Sequence, residues 1–149
     1  MDSMTNITKN LVSRTRIEVR LVYKGIFVAW FCCLFMIYKM NLPFREVSSA
    51  VFVGICLAAA SSIALGLAMR MRFLRRCTKD SSDALKSAQS WRAANFVSFS
   101  CAILVAFCGV ALRFLGSPWL TSGIFFGLSL FFILLWRPRE FPISADLEA

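Results

Sequence analysis

The chain has 149 residues, of which 58% are hydrophobic and only 17% are charged. A disordered chain needs low hydrophobicity and an ordinary soluble domain carries about 25% charged residues, so this composition excludes the first class and argues strongly against the second. The 17 Lys and Arg exceed the 8 Asp and Glu, but the basic residues flank apolar stretches, so we expect anionic lipid and no nucleic acid as a partner.

Four apolar stretches are long enough to cross a membrane as helices, which takes about 20 residues each. We predict an all-α integral membrane protein whose four transmembrane helices form an up-down bundle over residues 21–136. The predicted spans are 21–38, 48–69, 93–112 and 118–136.

Residues 1–20 form a basic leader that contains Lys9, Arg14, Arg16 and Arg20. Apolar residues recur between these charges, so we expect the leader to lie on the membrane surface as an amphipathic helix. No small-residue cleavage site follows the first apolar stretch, so we interpret that stretch as a retained span and not as a signal peptide.

The loop 70–92 is basic and is predicted to be largely helical. No helix-breaking residue interrupts Arg70 to Arg76, so we expect the second helix to continue past the span. Asp80, Ser81 or Ser82 can cap a new helix that begins near Asp83 and runs into the third span. The two helices would then project from the membrane as a basic hairpin.

The distribution of Lys and Arg predicts the orientation of the chain. Fourteen of these residues lie in the leader, at the start of the first span, in the loop 70–92 and in the tail 137–149. Only Lys39, Arg45 and Arg113 lie on the other side. The positive-inside rule therefore places both termini and the loop 70–92 in the cytoplasm. From the small size of the chain and its uncleaved spans, we expect a bacterial cytoplasmic membrane.

Aromatic residues mark most of the predicted membrane boundaries, as belts of Trp and Tyr do in membrane proteins. Trp30 is the exception because it lies in the middle of the first span, where its indole N–H requires a partner. We leave open whether Trp30 faces another helix, a partner subunit or lipid.

Small residues at every fourth position allow helices to approach closely in lipid. This pattern predicts that the second span packs against the third, and that the second span is central because it also has a second small row, Ala60, Ala64 and Ala68. A glycine pair in the fourth span could contact a helix of the same chain or of another one. The predicted packing residues are Gly54, Ala58, Ser62, Gly66, Ala94, Ser98, Ala102, Ala106, Gly123 and Gly127.

Four arginines lie directly beyond the second span. Each basic residue near an anionic membrane surface contributes about 1 kcal/mol to binding, so Arg70, Arg72, Arg75 and Arg76 are predicted contacts for anionic lipid. Two alternatives remain open: the four charges could only fix the topology, or they could bind an acidic patch on a soluble partner.

The residues needed for most enzyme chemistry are missing. The sequence has no histidine, which removes the commonest metal ligand and proton shuttle. No Asp or Glu lies inside a predicted span, and the cysteines form no C-x-x-C pair. We therefore predict no catalytic residue, cofactor or metal, and expect a protein that is not an enzyme.

These absences favour an accessory, structural or assembly subunit of a larger membrane complex, which would bind other membrane subunits or further copies of itself. The alternative is a small homo-oligomeric transporter or channel with a path lined by serine hydroxyls. The candidate lining residues are Ser61, Ser62, Ser98 and Ser100.

Overall fold

Four helices account for the architecture of the chain. The computed structural model describes residues 2–39, 43, 45–79 and 84–138, and no strand occurs among them. The helices are α1 (Asp2–Lys39), α2 (Ser49–Lys79), α3 (Ala84–Phe114) and α4 (Trp119–Leu135). The prediction of an all-helical chain with four helices is confirmed.

Three of the helices extend well beyond their apolar parts. At about 1.5 Å per residue, α1 is about 57 Å long, α2 and α3 are about 46 Å each, and α4 is about 26 Å. The predicted continuation of the second helix past Arg76 and the start of the third near Asp83 are confirmed by the bounds of α2 and α3. The proposed capping residues 80–82 lie outside the described residues.

The basic leader and the first predicted span form one continuous helix, α1. Val19, near the end of the leader, is only 1% exposed. It packs with Cys77, Ala88, Trp91 and Phe99 in a cluster that joins α1, α2 and α3 at the end where α2 stops and α3 begins. We call this end of the bundle the basic end.

The central helix is α3, which packs against α1, α2 and α4. The predicted packing of the second span against the third is therefore confirmed. The expectation that the second span is central is wrong, because α2 buries only one stripe within the chain. The buried face of α3 carries many small residues, including Ala88, Ala102 and Gly109, and it is broad enough for three neighbours to pack on it, while Ala60, Ala64 and Ala68 of α2 remain exposed.

The buried stripe of α2 repeats every seven residues, as in a coiled-coil seam. Four residues beside the stripe are also half-buried, and the other described side chains of α2 are exposed; the four are Ile55, Ser62, Met69 and Leu74. Buried or half-buried positions on the stripe are Phe52, Cys56, Ala59, Ile63, Gly66, Arg70, Phe73 and Cys77.

Helix α4 packs on α3 through a similar seam with alternating spacings of four and three residues. The seam consists of Ser122, Phe126, Ser129, Ile133 and the C-cap residue Trp136, and Phe125 beside it is also buried.

A tight turn joins α3 to α4, and the connection before α2 docks on it. Gly116 has a φ of +93°, which only glycine adopts without strain. The backbone N–H of Arg45 donates a hydrogen bond of 3.0 Å to the carbonyl oxygen of Gly116. This contact ties together the two connections at the end of the bundle opposite the basic end.

Candidate interaction surfaces

The small residues predicted for packing divide into two groups, and the first group is used inside the chain. All four members on α3 are at most 6% exposed. On α2, a Cβ added to Gly66 would lie 2.9 Å from the Cβ of Cys101 on α3, which is too close for two carbon atoms. The absence of a side chain at Gly66 therefore allows α2 and α3 to approach at this point. The half-buried Ser62 donates a hydrogen bond of 2.8 Å to the carbonyl oxygen of Ala58. The buried α3 residues are Ala94, Ser98, Ala102 and Ala106.

The second group faces away from the rest of the chain. No heavy atom of a neighbouring segment lies within 4 Å of a Cβ added to Gly54, Gly123 or Gly127, and Ala58 is exposed. The close approach that these residues permit is therefore not used by any described part of the chain.

The glycines of α4 form a notch on its outer face. Leu120, Gly123, Gly127 and Phe131 follow one another at helical spacing, so they lie on one face. Leu120 is 79% exposed and Phe131 is 57% exposed, whereas the two glycines between them present only backbone. We call this surface the α4 notch; its shape suits a second helix packed at short distance.

The four arginines beyond the second span do not lie in one environment. Arg70 is half-buried, and its Nη1 donates a hydrogen bond of 3.2 Å to Oγ of Ser98 on α3. Arg72, Arg75 and Arg76 are exposed on the outside of α2. Arg70 thus contributes to packing between helices, and the other three present charge at the basic end.

One pair of charged residues at the basic end does not follow from the sequence pattern. Nη1 of Arg92 on α3 lies 3.1 Å from Oε2 of Glu18 on α1, and Nε of Arg14 lies 3.9 Å from Oε1. The only signal in the sequence is a single acidic residue within the basic stretch 9–20, and it does not indicate which helix that residue faces.

Gly109 is a second residue whose role the spacing alone does not reveal. A Cβ at this position would lie 2.9 Å from the backbone carbonyl oxygen of Ser122 and 3.0 Å from the Cβ of Phe125. The absence of a side chain at Gly109 therefore lets α3 and α4 approach closely at this point. The small row Ala102, Ala106 and Gly109 could have indicated it.

The two buried serines of α4 differ in their hydrogen bonds, and this gives a paired prediction. Oγ of Ser129 donates a bond of 2.7 Å to the carbonyl oxygen of Ala102 on α3, whereas Oγ of Ser122 has no hydrogen-bond partner among the described residues. Ser129→Ala should lower the free energy of unfolding by about 1 kcal/mol, the usual size of a hydrogen bond between helices in lipid. Ser122→Ala should leave it unchanged or raise it.

Thermal unfolding in a mild detergent, followed by circular dichroism, measures both serine variants. Equal destabilisation by the two substitutions would contradict the assigned hydrogen bond.

An apolar cavity of about 220 Å³ lies between α1 and α3, and Trp30 and Phe107 form part of its lining. Trp30 is buried and packs edge-on against Phe126 of α4, with ring centroids 5.9 Å apart. Of the alternatives left open for Trp30, the structure therefore shows contact with another helix of the same chain.

Within the described ranges, no group of three or more His, Cys, Asp or Glu side chains could hold a metal ion. The absence of catalytic residues and cofactors stays a prediction.

The comparison with known proteins finds no relative, so the functional interpretation rests on the surfaces described above. No protein-family model, curated protein or solved structure matches the chain.

Proposed function

We propose that the chain is an integral membrane protein that crosses the bilayer four times, with both termini and the loop 70–92 in the cytoplasm. Three helical segments are long and apolar enough to span a membrane: Ser13–Lys39, Ser49–Cys77 and Leu85–Phe114. The 17 residues of α4 are at the short end of the range for a span. The distribution of Lys and Arg supports the orientation.

The exposed surface also supports insertion into a membrane. Large hydrophobic side chains such as Val28, Leu57, Leu65 and Leu120 are each more than half exposed. Soluble monomers rarely expose large contiguous apolar patches, but a bilayer solvates such side chains at no cost.

Within that membrane, we propose an accessory or structural role in which the chain docks on another subunit through the α4 notch. The proposal rests on the open space around Gly123 and Gly127. The small residues of α3, in contrast, are already buried against other helices of the chain. In lipid, helices associate by close packing and not by exclusion of water, so an unused glycine notch is suited to a helix of a different chain.

Photo-cross-linking in native membranes tests this docking. A benzophenone side chain in place of Phe131, at the edge of the notch, should form one discrete protein adduct. Gly127→Leu in the same background should reduce the adduct yield about tenfold, because a loss of about 1.4 kcal/mol in packing weakens association by that factor.

Gly25→Leu is the matched control. A Cβ added to Gly25 on α1 also has no neighbouring atom within 4 Å, and Gly25 is not part of the notch. It should leave the adduct unchanged. Labelling of lipid only, or an adduct that survives Gly127→Leu, would refute docking at this face.

The alternative of a serine-lined path receives less support from the geometry. Ser98 is buried and is hydrogen-bonded to Ala94 and Arg70. Ser61 and Ser100 are exposed on the outside of their helices, and Ser61 bonds to its own helix. These hydroxyls therefore do not converge on one path within the chain.

A further inference from the structure

A charged cavity of about 270 Å³ lies between α1 and α3 at the basic end, away from the α4 notch. Arg14, Thr15 and Glu18 line it from α1, and Gln89 and Arg92 are among the residues that line it from α3. Two guanidinium groups thus flank one carboxylate in a space large enough for a small polar group.

The contact between Glu18 and Arg92 leaves both side chains able to bind a further group. Their side chains are 39% and 50% exposed, and that of Arg14 is 83% exposed. Oε2 of Glu18 is buried and lies 3.1 Å from Arg92 without accepting a hydrogen bond among the described residues, so charge alone holds the pair, and the exposed part of the Glu18 side chain lies outside this oxygen. An ion pair this exposed contributes little to stability.

An apolar strip continues from the charged cavity along α1. Arg14, Glu18, Leu21, Gly25 and Val28 succeed one another at helical spacing, so they share a face. Leu21 is 62% exposed and Val28 is 63% exposed, and Gly25 leaves open space between them. The face therefore changes from charged to apolar within one turn, as the surface of a bilayer does.

We propose that this cavity binds the headgroup of a phospholipid that carries a primary amine. The two arginines bind the phosphodiester, Glu18 accepts a hydrogen bond from the ammonium group, and an acyl chain lies along Leu21 and Val28. This assignment rests on the membrane insertion proposed above but is independent of the α4 notch.

The carboxylate is what selects this class of lipid. Arginines alone would favour an anionic headgroup, but Glu18 repels a second negative charge in the same cavity. A quaternary ammonium group cannot donate a hydrogen bond to Glu18, whereas a primary ammonium group has three donors. The apolar strip favours a lipid over a soluble phosphate ester with the same headgroup.

The test is lipid retention by the full chain in nanodiscs that contain phosphatidylethanolamine, phosphatidylcholine and phosphatidylglycerol with identical acyl chains. Native mass spectrometry of the released protein should show phosphatidylethanolamine retained about tenfold over the other two. Glu18→Gln should abolish the preference for the primary amine, and the matched variant Glu46→Gln, at the opposite end of the bundle, should keep it.

Arg14→Gln provides a variant that leaves the contact between Glu18 and Arg92 in place. It should reduce retention of all three lipids, because each carries the phosphodiester. Equal retention of all three lipids by the unmodified chain, or an unchanged preference in Glu18→Gln, would overturn the proposal.

Two further outcomes show which part of the proposal is wrong: the lipid as the ligand, or the insertion of the chain into a membrane. If millimolar glycerophosphoethanolamine displaces the bound lipid as effectively as added phosphatidylethanolamine does, the cavity binds a soluble ligand. That result would overturn the assignment to a lipid. A chain that does not enter nanodiscs would overturn membrane insertion as well, whereas an inserted chain without headgroup preference would overturn only the cavity's assignment.

Discussion

Gly109→Leu should lower the free energy of unfolding by about 2 kcal/mol, because overpacking at this position should cost about 3 kcal/mol, at the upper end of the usual range. The Cβ alone would lie 2.9 Å from the backbone carbonyl oxygen of Ser122, and that oxygen cannot move unless α4 moves as a whole. The gain of about 1 kcal/mol from replacing glycine in a helix offsets only part of this cost. Thermal unfolding in a mild detergent measures the change.

Gly127→Leu is the matched control for this prediction, since it makes the same substitution on the partner helix. Because Gly127 has open space around it, the isolated chain should be unchanged or slightly more stable. If the two variants unfold at the same temperature, then α3 and α4 do not approach each other at Gly109 as described.

Gly116→Ala should destabilise the turn between α3 and α4 by about 2–4 kcal/mol. A left-handed backbone costs a residue with a Cβ about 1–2 kcal/mol, and Gly116 has a φ of +93°. The added Cβ would also lie 2.7 Å from both the backbone nitrogen and the Cβ of Arg45, which adds an overpacking cost.

Hydrogen exchange locates the effect of this second substitution. The amide of Arg45 donates to the carbonyl oxygen of Gly116, so Gly116→Ala should speed exchange at Arg45 and lower the unfolding temperature. Gly54→Ala, at an open helical position, should do neither. Unchanged protection of the Arg45 amide would contradict the docking of the two connections.

The extension of α2 and the start of α3 could be predicted because they depend on local sequence. The run from Arg70 to Arg76 contains no Gly or Pro to end a helix, and α2 continues to Lys79. The polar residues near Asp83 separate two segments of high helix propensity, and α3 begins at Ala84.

The central position of α3 could not be predicted, because small residues occur at similar spacing on α2 and α3. Such a pattern shows that close approach is sterically possible and does not show which helix occupies the space. Ala60 of α2 and Ala102 of α3 fit the same rule, yet one is exposed and the other is buried. For the same reason, the sequence could not show whether Gly123 and Gly127 contact a helix of their own chain or of another chain.

The charged cavity could not be predicted for a related reason. Glu18 and Arg92 lie on helices that are distant in sequence, and their contact depends on the rotation of α1 about its axis. The burial of Val19 fixes that rotation, because it turns the neighbouring Glu18 towards α3. An apolar residue in a basic leader could equally have faced lipid.

The most direct test of the accessory role is native mass spectrometry of the chain after gentle extraction from its own membrane, with the Gly123→Leu/Gly127→Leu variant measured in parallel. We expect the unmodified chain to carry a different membrane subunit in fixed stoichiometry, and the double variant to lose that subunit while remaining folded. A monomer or a pure homo-oligomer from the unmodified chain, or a complex that survives both substitutions, would contradict docking on another subunit through the α4 notch.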